Sequence, residues 1–211
     1  MSDLQQQAYI EQHSSRPCET LHDLWRHTWL HTVNPRMAAG PQHGLLLQMI
    51  CRMLKPAKVL EVGTFTGYAA IAMALATPAD SLIISIEADE EHLHMASKYL
   101  QKAGVEHKIQ LVSGDAREIL PKMDDVFDLI YLDADKISYP GYLPDLKRLL
   151  PPGGFLLADN VLWGSKVANL EVNDRETAAL RQFNQMVSED EDFEQLILPV
   201  HDGLLMARKL F

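Results

Sequence analysis

From about residue 40 onward, short apolar runs alternate along the chain with stretches whose apolar residues recur at helical spacing. The pattern between Leu45 and Met53 predicts a helix that Pro56 closes. The apolar runs predict five strands: residues 58–62, a run ending at Glu87, residues 109–112, residues 127–132, and a run ending at Ala158. Helices are predicted at residues 68–77, from Asp89 to a stop at Gly104, up to about residue 123, at residues 142–150, and at residues 175–188.

The end of the chain departs from this alternation. Residues 193–200 and 204–208 flank His201-Asp202-Gly203, which predicts a hairpin with a glycine-containing turn. Five strand–helix units followed by a hairpin predict an α/β fold: a Rossmann-like, doubly wound, mostly parallel seven-stranded sheet with one antiparallel strand in the C-terminal hairpin. A length of 211 residues favours one domain covering residues 1–211.

Residues 1–40 have a different character and predict an N-terminal helical extension. This region is rich in His, Gln and Trp. Leu21, Leu24, Trp25, Thr28 and Trp29 share one helical face, which predicts a helix packed on the domain or on a second subunit.

Composition narrows the classes of function. A net charge of −10 and a pI near 5.3 argue against a nucleic-acid surface. Cys18 and Cys51 are too few for a disulfide framework or a zinc site, so reduced thiols are expected. Residues 1–15 lack the apolar core of a signal peptide, and the longest apolar run, residues 69–76, is too short to span a bilayer. We therefore expect a soluble, cytoplasmic protein without a membrane partner.

Polar side chains close four of the predicted strands, which suggests one shared site. Glu61, Glu87, Asp133 and the pair Asp159-Asn160 each follow an apolar run. In a doubly wound sheet, ligands bind in the crevice outside the carboxyl ends of the strands.

The first of these strand ends predicts a nucleoside-bearing cofactor. Glu61 opens an acid-then-G-x-x-x-G motif, whose glycines let backbone approach a ligand closely. The spacing differs from the G-x-G-x-x-G dinucleotide loop, which favours a nucleoside without a pyrophosphate. Glu87 can accept both ribose hydroxyls, and Asp115 can take an adenine amine. S-adenosylmethionine fits best, although the glycine loop alone is also typical of a plain tight turn.

The later strand ends predict a metal ion. Asp133, Asp159 and Asn160 offer oxygen donors, which favour Mg²⁺, Mn²⁺ or Ca²⁺ over zinc or copper. Lys136 lies close in sequence, and a dication beside it favours the neutral amine that a general base needs. The alternative is that Asp159-Asn160 caps a turn and that Lys136 is a solvated surface charge.

Together these motifs resemble the cation-dependent O-methyltransferase family, which includes the caffeoyl-CoA and catechol O-methyltransferases. The similarity runs from about residue 37 to residue 209. It rests on Val59-Leu60-Glu61-Val62-Gly63-Thr64-Phe65-Thr66-Gly67-Tyr68, Leu132-Asp133-Ala134-Asp135-Lys136, Asp159-Asn160-Val161-Leu162-Trp163-Gly164 and Asp202-Gly203-Leu204. The resemblance implies methyl transfer from S-adenosylmethionine to a hydroxyl of a catechol-like vicinal diol, a divalent cation, and a homodimer.

The resemblance also implies roles for individual residues. Asp133, Asp159 and Asn160 would bind the metal, and Lys136 would be the base, with Asp133 beside it in the catalytic site. Cofactor contacts are implied at Met37, Ala39, Glu61, Gly63, Phe65, Glu87, Asp115, Ala116 and Asp133. Ala69 stands at a cofactor position where relatives usually carry a serine, so one hydroxyl contact is missing. Gln42-His43 replaces a more common acidic pair, which leaves substrate contacts there open.

Four alternatives stay open at this point. The enzyme could methylate a hydroxylated base in tRNA, although the net charge opposes RNA binding. The chain could instead be a non-catalytic, cofactor-binding module. His27 and His31 have a spacing that can hold zinc, or they are ordinary helix-surface histidines. Trp163 could form a wall of the substrate pocket or belong to the core.

Overall fold

The computed structural model describes residues 3–211, in which seven strands form one mixed sheet of order β3-β2-β1-β4-β5-β7-β6. The strands are β1 (Lys58–Val62), β2 (Leu82–Glu87), β3 (Ile109–Ser113), β4 (Leu129–Leu132), β5 (Phe155–Ala158), β6 (Phe193–Leu198) and β7 (Leu204–Lys209). Strands β1 to β5 are parallel, whereas β7 pairs antiparallel with both β5 and β6. The predicted α/β fold with one antiparallel strand is confirmed.

Eight helices precede, connect or follow the strands in the described part of the chain. They are α1 (Asp3–His13), α2 (Glu19–His31), α3 (Pro41–Leu54), α4 (Tyr68–Ala74), α5 (Glu90–Ala103), α6 (Ala116–Ile119), α7 (Tyr139–Leu149) and α8 (Arg175–Glu189). Asp89 caps α5 through the amides of Glu91 and His92, and Gly104 ends it at φ 67°, as predicted. No helix within residues 3–211 is long and apolar enough to cross a membrane.

Several element boundaries differ from the predicted ones, and three of them have a local explanation or a clear extent. Helix α4 ends at Ala74 rather than at residue 77. Strand β4 begins two residues late, because the Phe127 amide donates to the Leu149 carbonyl of α7 instead of to a strand. Helix α7 begins at Tyr139, because Pro140 lies in its first turn, where a missing amide proton costs no helical hydrogen bond.

The period-two alternation of the strands divides the core into two layers. Val59, Ile83, Leu129 and Leu157 pack against helices α2 to α5, and Leu60, Ile84, Ile130 and Leu156 pack against α6 to α8. The same alternation places Glu61, Ser85 and Tyr131 on the first face. These polar groups therefore lie beneath the layer of α2 to α5, at the carboxyl ends of the strands.

The N-terminal extension packs on the sheet domain through α2. Leu21, Leu24 and Thr28 are buried, and the Thr28 hydroxyl lies 2.9 Å from the Thr66 hydroxyl in the glycine loop. Trp29 belongs to the predicted apolar face but is 45% exposed, so the buried stripe is narrower than the sequence pattern indicates. The extension thereby reaches the loop that carries the predicted cofactor motif.

Candidate active site

The glycine loop after β1 requires glycine where it crosses the end of β4. Gly63 has φ 99°, and a Cβ atom there would lie 2.2 Å from the Asp133 carbonyl oxygen. The amides of Gly63 and Thr64 both donate to the Ile86 carbonyl, at 3.0 and 3.2 Å. The loop is therefore held between β2 and β4, close to the Asp133 backbone.

A small pocket lies beside this loop. It is lined by Met37, Ala38, Ala39, Gly63, Thr64, Phe65, Thr66, Tyr68, Ala69 and Asp133. The predicted cofactor residues Met37, Ala39, Gly63, Phe65, Ala69 and Asp133 are among them. The sequence reading missed Ala38, Thr64, Thr66 and Tyr68, although the last three belong to the motif itself.

Glu61 lies fully buried beneath the loop. Its Oε2 accepts a hydrogen bond from the Ser85 hydroxyl, which lies 2.6 Å from the Thr64 hydroxyl, and its Oε1 has no hydrogen-bond partner. Burial raises the pKa of Glu61 to about 8; the Ser85 hydrogen bond opposes this shift, and the Asp133 and Glu87 carboxylates add to it. An acid with an unpartnered oxygen here suits a cationic or hydrogen-bond-donating ligand.

Glu87 lies at the end of β2 with both carboxylate oxygens engaged by backbone. Its Oε2 accepts from the Phe65 amide at 2.7 Å, and its Oε1 accepts from the Asp89 amide at 3.0 Å. These bonds fix the carboxylate beside the glycine loop, and each oxygen keeps a lone pair for a further donor. The predicted ribose contact is therefore sterically and chemically open.

Asp115 and Ala116, two further predicted cofactor residues, are not among the residues that line this pocket. Asp115 caps α6 and forms hydrogen bonds with the Arg117 guanidinium, which hold the pKa of Asp115 below its usual value. A contact from Asp115 to an adenine amine would have to share the carboxylate with Arg117. Ala116 is buried at the start of α6.

Lys136 links Asp133 to the buried Tyr139 through two hydrogen bonds. Its Nζ donates to Asp133 Oδ1 at 2.7 Å and to the Tyr139 hydroxyl at 2.8 Å. The buried Tyr139 hydroxyl in turn lies within donating distance of the Leu132 and Asp159 carbonyls, at 3.0 and 3.1 Å. Lys136 is only 10% exposed, so the reading of a solvated surface charge is wrong.

Of the two predicted metal-binding acids, Asp159 is buried and Asp133 is half-buried. Burial raises the pKa of Asp133, Lys136 opposes that shift, and the Asp159 carboxylate adds to it. Asp159 is 3% exposed; its Oδ1 accepts from the Asn160 amide at 2.8 Å. Asn160 itself has φ 61°, a left-handed conformation that asparagine tolerates better than most residues.

A histidine that the sequence reading left open lies against Asp159. His43 in α3 is 4% exposed, and its Nε2 is 3.5 Å from Asp159 Oδ2. The Tyr131 hydroxyl lies 3.1 Å from the same carboxylate oxygen and 3.1 Å from His43 Nε2. An imidazole thus lies in direct reach of a predicted metal ligand.

His201 completes a three-residue group with His43 and Asp159. One ligand atom from each side chain lies within 4.8 Å of the others. The topology explains this proximity: β7 runs antiparallel to β5, so the turn before β7 lies beside the residues that follow β5. Two imidazoles therefore lie beside the oxygen donors that the sequence predicts. The predicted terminal hairpin is the sequence feature that could have indicated the position of His201, because its second strand pairs with β5.

The two remaining candidates are explained by local structure. His31 Nδ1 lies 3.0 Å from the His27 carbonyl, and the two rings stack at 4.0 Å, as ordinary neighbours on α2. Trp163 packs partly buried against the α6–α8 layer in a left-handed turn, at φ 48°, which supports its reading as core.

This chain has the strand order, the glycine loop and the acids at the strand ends that are typical of Rossmann-like methyltransferases. A sequence profile described as O-methyltransferase matches residues 11–210, and the chain belongs to this family. A caffeoyl-CoA O-methyltransferase of Stellaria longipes is 33% identical over 207 residues, covering 93% of this chain and 86% of that protein. A catechol O-methyltransferase of Niastella koreensis is 32% identical over 182 residues, covering 82% of each chain.

Solved structures show the same fold over nearly the whole chain. The Podospora anserina methyltransferase PaMTH1, determined with S-adenosylhomocysteine bound, has a TM-score of 0.90 and 28% identity, covering 98% of this chain and 94% of that one. The O-methyltransferase TomG of Streptomyces achromogenes, in complex with S-adenosylmethionine, has a TM-score of 0.91 and 26% identity, covering 100% of both chains. The prediction of an O-methyltransferase is confirmed.

Proposed function

We propose that this enzyme transfers a methyl group from S-adenosylmethionine to one hydroxyl of a vicinal dihydroxy aromatic compound held by a divalent cation. The observation that carries the proposal is the position of Asp133. Its residue lines the pocket beside the glycine loop, while its carboxylate bonds Lys136 and interacts with that of Asp159. This arrangement supports a single site in which cofactor, proton acceptor and metal ligands share one side chain.

The cofactor assignment is supported from two sides. Structural relatives with similar folds are complexes with S-adenosylmethionine or its demethylated product. The Glu87 carboxylate also accepts from the Phe65 amide of the glycine loop, and the Glu61 carboxylate keeps an unpartnered oxygen at the strand end that this loop follows. Both acids suit a ligand that carries a positive sulfonium, an ammonium group and ribose hydroxyls.

The residues present fit a divalent cation. Asp133 is half-buried and Asp159 is buried, the Asp159 carboxylate adds to the raised pKa of Asp133, and Lys136 bonds Asp133. A dication between them would offset the remaining negative charge, and the adjoining Asn160 adds a neutral oxygen donor. When bound, the ion supplies Lewis-acid activation of a substrate hydroxyl.

Lys136 is proposed as the proton acceptor and Asp133 as its anchor. The Tyr139 hydroxyl and the Asp133 carboxylate hold Lys136 Nζ at 2.8 and 2.7 Å, which fixes the position of the amine. Positioning of this kind lowers the barrier by holding the hydroxyl oxygen, the base and the methyl carbon together. Chelation of two adjacent oxygens by one ion is the reason for preferring a vicinal diol.

The second candidate is methylation of a hydroxylated base in tRNA. The net charge of −10 opposes it, since RNA binding requires phosphate neutralisation. The relatives described above also carry small-molecule names, caffeoyl-CoA and catechol. A non-catalytic module is disfavoured by the presence of the lysine and of all three oxygen donors. The homodimer, the single domain and the cytoplasmic location stay predictions.

The proposal is tested with methyl-labelled S-adenosylmethionine and three acceptors: a catechol panel, matched monohydroxy aromatics and total tRNA, each with and without chelator. We expect label in catechols alone, and only without chelator. Labelled tRNA would favour the second candidate. If catechols and monohydroxy compounds were labelled at equal rates in the presence of chelator, the proposal that a metal ion binds the vicinal diol would be wrong.

A further inference from the structure

The imidazole of His43 faces Asp159, and His201 approaches from the turn before β7. We propose that these two histidines are metal ligands alongside Asp159, so that the site selects a first-row transition dication over Mg²⁺ and Ca²⁺. The inference rests on the proposed metal dependence but goes beyond it, because it assigns new ligands and a metal class.

The distance between His43 Nε2 and Asp159 Oδ2 is close to that expected for two atoms that bind one ion. With metal–nitrogen and metal–oxygen bonds of about 2.1 Å, two ligands stand about 3.4 Å apart across a tetrahedral angle and about 3.0 Å across an octahedral one. His43 Nε2 and Asp159 Oδ2 are 3.5 Å apart. This separation is long for a hydrogen bond but suits two ligands of one small cation.

Protein contacts satisfy only one of the two ring nitrogens of the buried His43. The side chain is 1% exposed, its Nδ1 has no hydrogen-bond partner, and its Nε2 is approached by the Tyr131 hydroxyl and Asp159. Leaving a buried polar nitrogen unsatisfied costs about 1–3 kcal/mol. A metal–nitrogen bond at Nε2 would leave Nδ1 unpartnered, so the case for a ligand rests on the position of Nε2 beside Asp159 Oδ2.

His201 is placed to close the group from the solvent side. It is exposed in a turn with φ 53°, where the Gly203 amide donates to the Val200 carbonyl at 2.9 Å. Its ring centroid lies 5.8 Å from that of His43. The other two ligands are buried and held by secondary structure, so His201 is the ligand that can move to meet the ion.

The donor chemistry decides the metal class. Oxygen-only sites suit Mg²⁺ and Ca²⁺, whereas imidazole favours the later first-row dications, in the order Mn²⁺ below Co²⁺ and Ni²⁺. Two imidazoles with one carboxylate therefore move the preference away from the hard cations that Asp133, Asp159 and Asn160 alone would choose.

The direct test is pulsed electron paramagnetic resonance of the tag-free, full-length protein, stripped by chelation and reloaded with one equivalent of Mn²⁺. Imidazole coordination gives ¹⁴N modulation of the Mn²⁺ signal. We expect this modulation in the wild type and in the control His107→Gln, whose histidine is exposed and distant in the fold. It should weaken in His43→Gln and in His201→Asn; the latter keeps a residue that tolerates a positive φ.

A calorimetric comparison makes the proposal quantitative and independent of turnover. Co²⁺ affinity should fall by at least about tenfold in each variant, the loss expected when a group supporting a bound metal is removed. Mg²⁺ affinity should be unchanged in His201→Asn. Circular dichroism checks folding, and His201→Asn keeps the test valid should the buried His43→Gln fail to fold.

The outcomes separate this inference from the proposed function. Mn²⁺ bound without nitrogen modulation in the wild type, or unchanged Co²⁺ affinity in the folded variants, overturns the histidine ligands. Such a result would leave metal-dependent methyl transfer intact if Mg²⁺ restores the chelated enzyme. Full activity in the presence of chelator would instead overturn the proposed function.

Discussion

Replacing Glu61 by glutamine should change how the stability of the protein depends on pH. Glu61 is fully buried, and burial raises its pKa from 4.5 to about 8. Within that interval the folded state holds a proton that the unfolded state has released. The free energy of unfolding therefore falls as pH rises from the unfolded pKa to the folded one.

The size of the effect follows from the two pKa values. Between about pH 5 and about pH 7, a carboxyl that titrates near 8 when folded and near 4.5 when unfolded removes about 2–3 kcal/mol of stability. Glutamine can still accept the Ser85 hydrogen bond but does not titrate. Glu61→Gln should therefore gain about 2–3 kcal/mol relative to the wild type over this range.

The assay is urea denaturation of the chelated, cofactor-free protein at both pH values. Glu194→Gln is the matched control, since Glu194 is exposed on β6 and pairs with Arg208. We expect the control to follow the wild type, because an exposed ion pair contributes little. Parallel stability profiles for Glu61→Gln and the wild type would refute the assignment of a neutral, buried acid under the glycine loop.

Three further outcomes follow from the site. Lys136→Ala should lower turnover by about 10²–10⁴, with a smaller loss for acidic nitrocatechols, in steady-state assays; equal losses would mean that Lys136 only positions the substrate. Glu87→Ala should weaken S-adenosylmethionine binding by about 1.5–3 kcal/mol in calorimetry, and unchanged affinity would exclude the ribose contact. Gly63→Ala should destabilise by more than about 3 kcal/mol in urea denaturation, against about 1 kcal/mol for Gly153→Ala. Both glycines have positive φ, but only the Cβ at Gly63 meets backbone, so equal costs would disprove the close packing.

Most of the fold could be predicted because it depends on local patterns. Apolar runs and helical spacing are properties of neighbouring residues, and Asp89 and Gly104 mark the ends of α5 by capping chemistry alone. The strand-end acids could also be predicted, since parallel strands bring their carboxyl ends to one edge of the sheet. The predicted boundaries were wrong where a contact between residues distant in sequence determines the structure. An example is the start of β4, where the Phe127 amide donates to the Leu149 carbonyl at the end of α7.

The site was predicted less completely because long-range pairing determines it. His43 and His201 are far apart in sequence and share no motif, and they meet only because β7 returns beside β5 while α3 covers that end of the sheet. The pairing of Asp115 with Arg117 could not be predicted from the position of Asp115 after a strand either, because it depends on the local geometry of α6. Spacing identifies which residues carry chemistry, but packing decides their partners.

The most direct test of the central claim is metal titration of the chelated enzyme while methyl transfer to a catechol and to its monohydroxy analogue is measured. The account predicts that transfer to the catechol returns in proportion to bound metal and saturates at one ion per chain. It also predicts that Asp159→Asn, which removes one of the two carboxylates, needs far more metal for the same rate. Transfer to the catechol at the full rate before any metal is added, or equal recovery for the monohydroxy analogue, would contradict the account.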